Sequence, residues 1–311
     1  MSVARFKSSL YLLASVASFS GSAFAFCRTT TCKGGGCEQD PLTLCTMGTP
    51  ISWAKLCVSY SMQYQASKQV DLAHAAAATK KAFDAWQNVT CPGSSAPPSI
   101  QLGDKFGTVA CNVHEYNQTD GNANIIMFRD DEWPYPEAVD TTLALTTVTF
   151  SKKTGEIYDV DMEINSKMPL TTDDTVMFGV FDLQSIITHE AGHFLGLAHS
   201  QDPEATMWSS YSMGDDSFRT LSADDAAGVC AIYPAEQDNG SCDYRPRQGF
   251  SPECGIYPAA VGTCALAAGG PGRSIPDRGG AVGLVFAGAV ASLGCACVRR
   301  RARRPYLLAD E

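Results

Sequence analysis

Residues 189–199 have the sequence HEAGHFLGLAH and match the pattern HExxHxxGxxH at every fixed position. We expect a helix on which His189 and His193 lie one turn apart, so that both imidazoles project from one face at a spacing that suits a single zinc ion. Gly196 can adopt the left-handed conformation that ends a helix, which lets the chain turn back and present His199 as a third ligand. Three protein ligands leave a fourth coordination position for water, the arrangement typical of a catalytic zinc.

Glu190 lies beside the first histidine, close to the metal without being forced to bind it, and is the predicted general base. Asp182 is expected to cap the helix that carries it. A chance match at all five fixed positions arises in roughly one sequence in a hundred thousand or fewer. The chain has five histidines, and the two outside the motif, His74 and His114, receive no predicted role.

Two kinds of periodicity precede the motif. Apolar residues recur at steps of four and three over residues 72–86, which predicts an amphipathic first helix capped by Ser67. Runs rich in β-forming residues predict strands at 124–128, 142–150 and 156–164, and the last two are expected to form a hairpin because a Lys-Lys-Thr-Gly turn separates them. A helix before a sheet and another after it indicate the α+β class.

Together with the motif, the surrounding segments resemble the matrixins, a family of the metzincin clan of zinc peptidases, over about residues 51–233. Ser200 follows the third histidine as in that family, and residues 82–86 are similar to its first helix. Met207, in the sequence Ala-Thr-Met, resembles the methionine of the Met-turn, which underlies the zinc site. Residues 221–229 resemble the closing helix of the family.

The resemblance implies a metzincin-like α+β domain over residues 51–234, with a mixed twisted sheet, a long first helix, an active-site helix and a C-terminal closing helix. It implies a zinc-dependent endopeptidase with one catalytic zinc and a protein or peptide substrate. Tyr211 would form a wall of the S1′ pocket, and Ser209 stands where the family often has proline. The substrate would extend along the edge strand at 142–150 by β-strand addition.

Three carboxylates alternate along the last predicted strand: Asp159, Asp161 and Glu163. Because alternate residues share one face of a strand, these side chains could converge on a calcium ion. A solvated acidic face is the alternative, and the sequence leaves both readings open.

The first 25 residues are expected to be a signal peptide. Two basic residues precede a short apolar run, and Ala-Phe-Ala at 23–25 is the small-x-small pattern after which signal peptidase cleaves, so Phe26 would be the mature N-terminus. A buried N-terminal helix is the alternative. Residues 26–50, rich in glycine and cysteine and without periodicity, are expected to form a disulfide-tied lead-in.

The C-terminal part predicts contact with a membrane. Residues 235–278 are rich in proline, glycine and cysteine and predict a stalk, and residues 279–298 form an uncharged span long enough to cross a bilayer. Residues 299–311 begin with an arginine cluster expected on the cytoplasmic side. This order, with Cys264 in the spacer, resembles the Myxo-CTERM sorting tails of bacteria, and a permanent anchor is the alternative. We expect an exported protein, at the cell surface (outer membrane) or extracellular after tail processing.

The net charge and the cysteine content restrict the kind of partner and the cellular compartment that we expect for this protein. The net charge is −10, which argues against nucleic acid as a partner. Of thirteen cysteines, eleven lie between the predicted signal peptide and the apolar span, and an exported chain of this kind forms disulfides. An odd number leaves at least one cysteine without an intramolecular partner, and Cys91–Cys111 and Cys242–Cys254 are candidate pairs.

Two classes of function are compatible with these features: a secreted or surface-tethered zinc endopeptidase, and a zinc-containing surface binding or adhesion module without turnover. The glutamate of the motif favours the enzyme. A second, structural zinc of the kind that animal matrixins carry is not expected, because only two histidines lie outside the motif and a closed zinc site needs four ligands.

Overall fold

The computed structural model describes residues 25–32, 36–135, 142–238 and 240–254. Within these ranges the α+β prediction is confirmed. The helices are α1 Leu72–Asn88, α2 Leu183–Phe194 and α3 Ala223–Ile232. The strands are β1 Cys27–Arg28, β2 Cys57–Ser59, β3 Ser61–Met62, β4 Gln101–Gly103, β5 Ile125–Phe128, β6 Ala144–Phe150, β7 Ile157–Ile164, β8 Leu170–Thr171, β9 Phe181–Asp182 and β10 Leu197–Ala198.

The main sheet has the strand order β3-β5-β7-β6. The pairs β3–β5 and β5–β7 are parallel and β6–β7 is antiparallel, so the sheet is mixed, as expected. The hairpin of β6 and β7 pairs Thr146 with Met162. Because β6 lies at the end of this order, one of its backbone edges has no neighbouring strand in the sheet.

Helix α1 buries the predicted stripe, but its predicted cap is wrong. The helix begins after Asp71, whose carboxylate accepts the N–H of His74. The hydroxyl of Ser67 instead donates to Asp130 at 2.7 Å, which leaves Asp71, nearer the apolar stripe, to cap the helix. The indole of Trp86 donates to the carbonyl of Thr188 at 2.7 Å and thereby joins α1 to α2.

The apolar core fills the space between these two helices and the sheet. Phe83 of α1 is fully buried, stacks on Tyr60 at 4.1 Å between ring centroids, and meets the edge of Phe194 of α2 at 5.2 Å. Burial of each such side chain stabilises the fold by about 1.5–3 kcal/mol. The core therefore fixes α2, the helix of the motif, against α1 and the sheet.

Five disulfides cross-link the described residues, and both predicted pairs are wrong. The pairs are Cys27–Cys45, Cys32–Cys37, Cys57–Cys242, Cys91–Cys230 and Cys111–Cys254. The predicted pairs joined cysteines near in sequence, whereas three real pairs join residues 139 to 185 positions apart, because α3 and the chain after it pack against earlier parts of the domain. Cys264 lies outside the described residues.

The first part of the predicted stalk packs on the domain. The guanidinium of Arg247 lies 4.0 Å from the ring centroid of Tyr158 and bonds Glu156 at 2.9 Å, and Phe250 stacks on Phe106 at 4.7 Å. Among the described residues, no helix has the length and apolar character needed to cross a membrane. The predicted signal peptide up to residue 24, the apolar span 279–298 and the basic tail 299–311 lie outside these residues.

Candidate metal centre and cleft

Helix α2 and the turn after it bring the three motif histidines to one point. The ring centroids of His189 and His193 are 4.9 Å apart, and His199 lies 5.2 Å from the first and 4.9 Å from the second. One nitrogen from each ring lies within 4.8 Å of the other two. This spacing fits one metal ion held by three imidazoles.

Backbone carbonyls fix the orientation of two of these rings. Nδ1 of His189 lies 2.7 Å from the carbonyl oxygen of Thr206, and Nδ1 of His193 lies 2.9 Å from that of Leu197. A carbonyl only accepts, so Nδ1 carries the proton and Nε2 keeps its lone pair for the metal. Burial, aided by the neighbouring histidines, holds the pKa of His193 well below its usual value, which favours the neutral, metal-binding form. The residues present therefore fit zinc.

Two glycines permit this geometry. A Cβ on Gly192 would lie 2.1 Å from Sδ of Met207 and 2.8 Å from the ring of Trp86, so only glycine lets the methionine pack under the helix. Gly196 has a φ of +96°, and a Cβ there would lie 2.7 Å from the carbonyl oxygen of Ile51. The chain then turns into β10, which pairs with β1 and is followed directly by the third histidine.

Ser222 and Asp225 form a capping box at the start of helix α3. The carboxylate of Asp225 also accepts the N–H of Thr206 at 2.7 Å and of Met207 at 3.0 Å. Helix α3 therefore holds the turn that carries the methionine. Neighbouring Asp224 accepts the hydroxyl of Ser200 at 2.7 Å, so α3 also fixes the chain just after the third histidine.

Glu190 is 7% exposed and lies beside the histidines on α2. The hydroxyl of Thr146, on β6, donates to Oε2 of this carboxylate at 2.5 Å. Burial raises the pKa of Glu190 to about 7, and the bond from the threonine opposes that rise. Sequence reasoning missed Thr146, because nothing in a strand pattern shows which face meets a residue 44 positions away.

An open cavity of about 420 Å³ adjoins the histidines and Glu190 between β6 and residues 208–211. Tyr211 lines this cavity, and its ring packs on Phe218 at 4.9 Å between centroids. Its role as a wall of the substrate pocket stays a prediction. Other apolar members of the lining are Leu143, Phe181, Ile186 and Trp208. The cavity thus combines a polar floor at the metal site with an apolar flank.

The three alternating carboxylates of β7 are buried, so the solvated-face alternative is wrong. Asp161 accepts the backbone N–H of Glu115 at 2.8 Å and of Ile125 at 3.0 Å, while Glu163 bonds Arg129 at 2.6 Å. Within the described ranges they do not come close enough together to form a group that could hold a metal. Calcium binding there stays a prediction.

The two remaining histidines bind carboxylates: His74 contacts Asp71 at 2.8 Å and His114 contacts Glu163 at 3.3 Å. In the part of the chain that the structure describes, the second cluster of metal-binding residue types is Cys111 with Glu115 and Cys254, and its cysteines form a disulfide. That cluster offers no thiolate ligands. The prediction of a single zinc stays open to measurement.

A three-histidine centre with a buried glutamate, set beside the edge strand of a mixed sheet, is typical of zinc hydrolases. The model of the matrixin family matches residues 52–234, and the chain belongs to this family.

Curated relatives support the same family. Matrix metalloproteinase-C of Caenorhabditis elegans is 25% identical over 214 residues, which cover 66% of this chain and 33% of that protein. Macrophage metalloelastase of Oryctolagus cuniculus is 28% identical over 189 residues, 60% of this chain and 34% of that protein. Neutrophil collagenase of Homo sapiens is 45% identical over 53 residues, 17% and 11% of the two chains. This chain therefore spans about a third or less of the length of these relatives.

Proposed function

We propose that this protein is a zinc-dependent endopeptidase that hydrolyses peptide bonds in protein substrates. The observation that carries the proposal is the convergence of three histidine nitrogens within 4.8 Å of one another, beside the helix residue Glu190. Zinc, when bound by these histidines, activates a water molecule and polarises the scissile carbonyl.

Glu190 serves as the general base. Its buried carboxylate lies beside the histidines, where it can accept a proton from the water and then donate it to the leaving amine. Its burial keeps bulk water from competing for that proton. Glu190 is therefore the group that carries the proton between the two steps.

The substrate extends along the free backbone edge of β6. Strand addition supplies main-chain hydrogen bonds that do not depend on the sequence of the substrate. The cavity beside the histidines then selects which substrate side chain is bound. Its flank of Tyr211, Phe218 and Ile186 accommodates an apolar side chain after the scissile bond. We expect cleavage on the N-terminal side of leucine, methionine or phenylalanine.

The protein acts outside the cytoplasm. Five disulfides among the described residues support this, because disulfides persist in oxidising compartments. Removal of residues 1–25 would place Phe26 at the start of the chain, next to β1. The apolar span at 279–298 supplies at least a transient membrane anchor at the cell surface.

The test is proteomic. The purified full chain is incubated with a mixture of unfolded proteins, with and without a zinc chelator, and the new peptide ends are read by mass spectrometry. We expect chelator-sensitive cleavage before apolar residues. Zinc binding without any new peptide ends would overturn the proposal in favour of a binding module.

A further inference from the structure

We propose that Thr146 is a positioning residue for the general base, holding the Glu190 carboxylate through one oxygen so that the other remains available for the proton. This inference rests on the proposed function. Its basis is the 2.5 Å contact between the hydroxyl of Thr146 and Oε2 of Glu190. Both residues are buried: Thr146 is 2% exposed and Glu190 is 7% exposed. A carboxylate in its ionised form only accepts, so the hydroxyl is the donor.

The backbone leaves this hydroxyl little freedom to move. Thr146 is paired with Met162 in the antiparallel ladder of β6 and β7, and the rotamers of a β-branched side chain are restricted. Helix α2 is held in turn by the indole bond from Trp86 and by the core around Phe194. Donor and acceptor therefore belong to two rigid elements, and the bond fixes the direction of the carboxylate.

The choice of partner distinguishes this threonine from its neighbour. The hydroxyl of Thr147, the next residue of β6, is buried without a hydrogen-bond partner among the described residues. A hydrogen bond from a buried threonine hydroxyl is therefore not a general feature of this strand. The hydroxyl of Thr146 also lies 3.5 Å from the carbonyl oxygen of Glu190, and the shorter contact goes to the carboxylate.

The bond persists through the proposed reaction. When the carboxylate takes the proton of the attacking water, the proton goes to Oε1, because Oε2 is already an acceptor. The neutral acid still accepts the hydroxyl bond at Oε2 and releases the same proton to the leaving amine. Thr146 itself neither gains nor loses a proton, so it acts on orientation rather than as an acid or base.

The experiment compares three variants of the full chain. Thr146→Val removes the hydroxyl at nearly constant volume, Thr146→Ser keeps it, and Thr79→Val makes the same change at a buried threonine of α1 whose hydroxyl bonds its own helix. We expect kcat to fall about 10-fold to 100-fold in Thr146→Val with KM changed less than about threefold, the pattern of a lost transition-state interaction. The serine and α1 variants keep kcat within about threefold of the wild type.

Two readouts separate positioning from damage. Zinc content should stay at the wild-type value in all variants, and crystal structures should show Glu190 in one rotamer in the wild type and Thr146→Ser but rotated in Thr146→Val. Equal kcat in Thr146→Val, an equally impaired serine variant, or an unmoved carboxylate would overturn the inference. If the wild type itself cleaves nothing, the proposed function fails, while the crystal structures still decide whether the threonine holds the carboxylate.

Discussion

The histidines of α2 and the carboxylates of β7 are both sets of three chemically suitable ligands, but only the histidines meet. On α2 the first two lie one turn apart, about 6 Å along the axis, and the chain folds back to bring the third from another direction. On β7 the carboxylates repeat about every 6.6 Å along a straight strand and point the same way. Convergence therefore comes from a reversal of the chain, which the strand lacks.

The partners of the two sets differ as well. His189 and His193 use Nδ1 to bond carbonyl oxygens, which leaves Nε2 for a metal. On β7, Asp161 accepts two backbone N–H groups and Glu163 accepts Arg129, so these carboxylates already hold the protein segment that covers the sheet. The three histidines thus converge where one metal ion would fit, whereas the three carboxylates contribute to tertiary structure.

The largest effect is expected on the histidine side. Glu190→Gln should keep the bound zinc and lower peptide hydrolysis by roughly 100-fold to 10,000-fold, the usual contribution of a general base. Turnover of a fluorogenic peptide and elemental analysis measure the two quantities. Unchanged turnover, or loss of the zinc, contradicts the assigned role.

On the carboxylate side, Arg129→Met should destabilise the fold by up to about 3–5 kcal/mol, because the fully buried Glu163 loses its arginine and keeps only His114 as a basic partner among the described residues. Denaturant unfolding measures the free energy. The double variant Arg129→Met/Glu163→Gln removes the buried charge as well and should recover most of the loss. A single variant as stable as the wild type would show that the ion pair does not hold this region.

A smaller effect should follow Gly192→Ala, because its Cβ would fall 2.1 Å from Sδ of Met207. We expect a loss of about 1–3 kcal/mol in the free energy of unfolding, typical of overpacking. Adding Met207→Ala makes room and should remove part of that loss. If the two substitutions simply add, the methionine is not what excludes a side chain from position 192.

A further effect concerns the dependence of stability on pH. Burial raises the pKa of Asp161 from 3.8 to about 8 and raises that of Asp159, its neighbour on the same face, well above 3.8. The folded protein therefore keeps a proton that the unfolded chain has lost. This stabilisation is complete below pH 3.8 and is lost as the pH rises through about 8.

The free energy of unfolding should consequently fall between pH 5 and 8, by up to about 1.4 kcal/mol per pH unit for each proton concerned. Asp159→Asn removes one of the two repelling carboxylates and should make the fall shallower. Unfolding curves at several pH values compare the two proteins. If the free energy of unfolding changed with pH in the same way in both proteins, Asp159 and Asp161 would not titrate as a pair between pH 5 and 8.

Much of the histidine site could be predicted from the sequence, because its ligands lie within eleven residues of one helix and one turn. The contacts of Thr146 and Asp225 could not, since each depends on how a strand or a second helix packs against α2 or the methionine turn. The helices and long strands followed from periodicity to within a few residues. The cap at Ser67 failed because a competing partner, Asp130, took its hydroxyl.

The predicted disulfide pairs and the alternative of a solvated acidic face on β7 were wrong for a related reason. Cys57–Cys242 depends on the path of the chain after α3, which no local pattern describes. Burial of Glu163 depends on its contacts with Arg129 and Tyr135, which follow β5 in the chain. Both are long-range features of tertiary structure.

The central claim, that one zinc ion binds at the histidines, is tested most directly by the zinc content of the dialysed protein and of a His193→Ala variant. We expect one zinc ion per chain in the wild type and no bound zinc in the His193→Ala variant. Two tightly held zinc ions in the wild type, or zinc retained after the substitution, would contradict it.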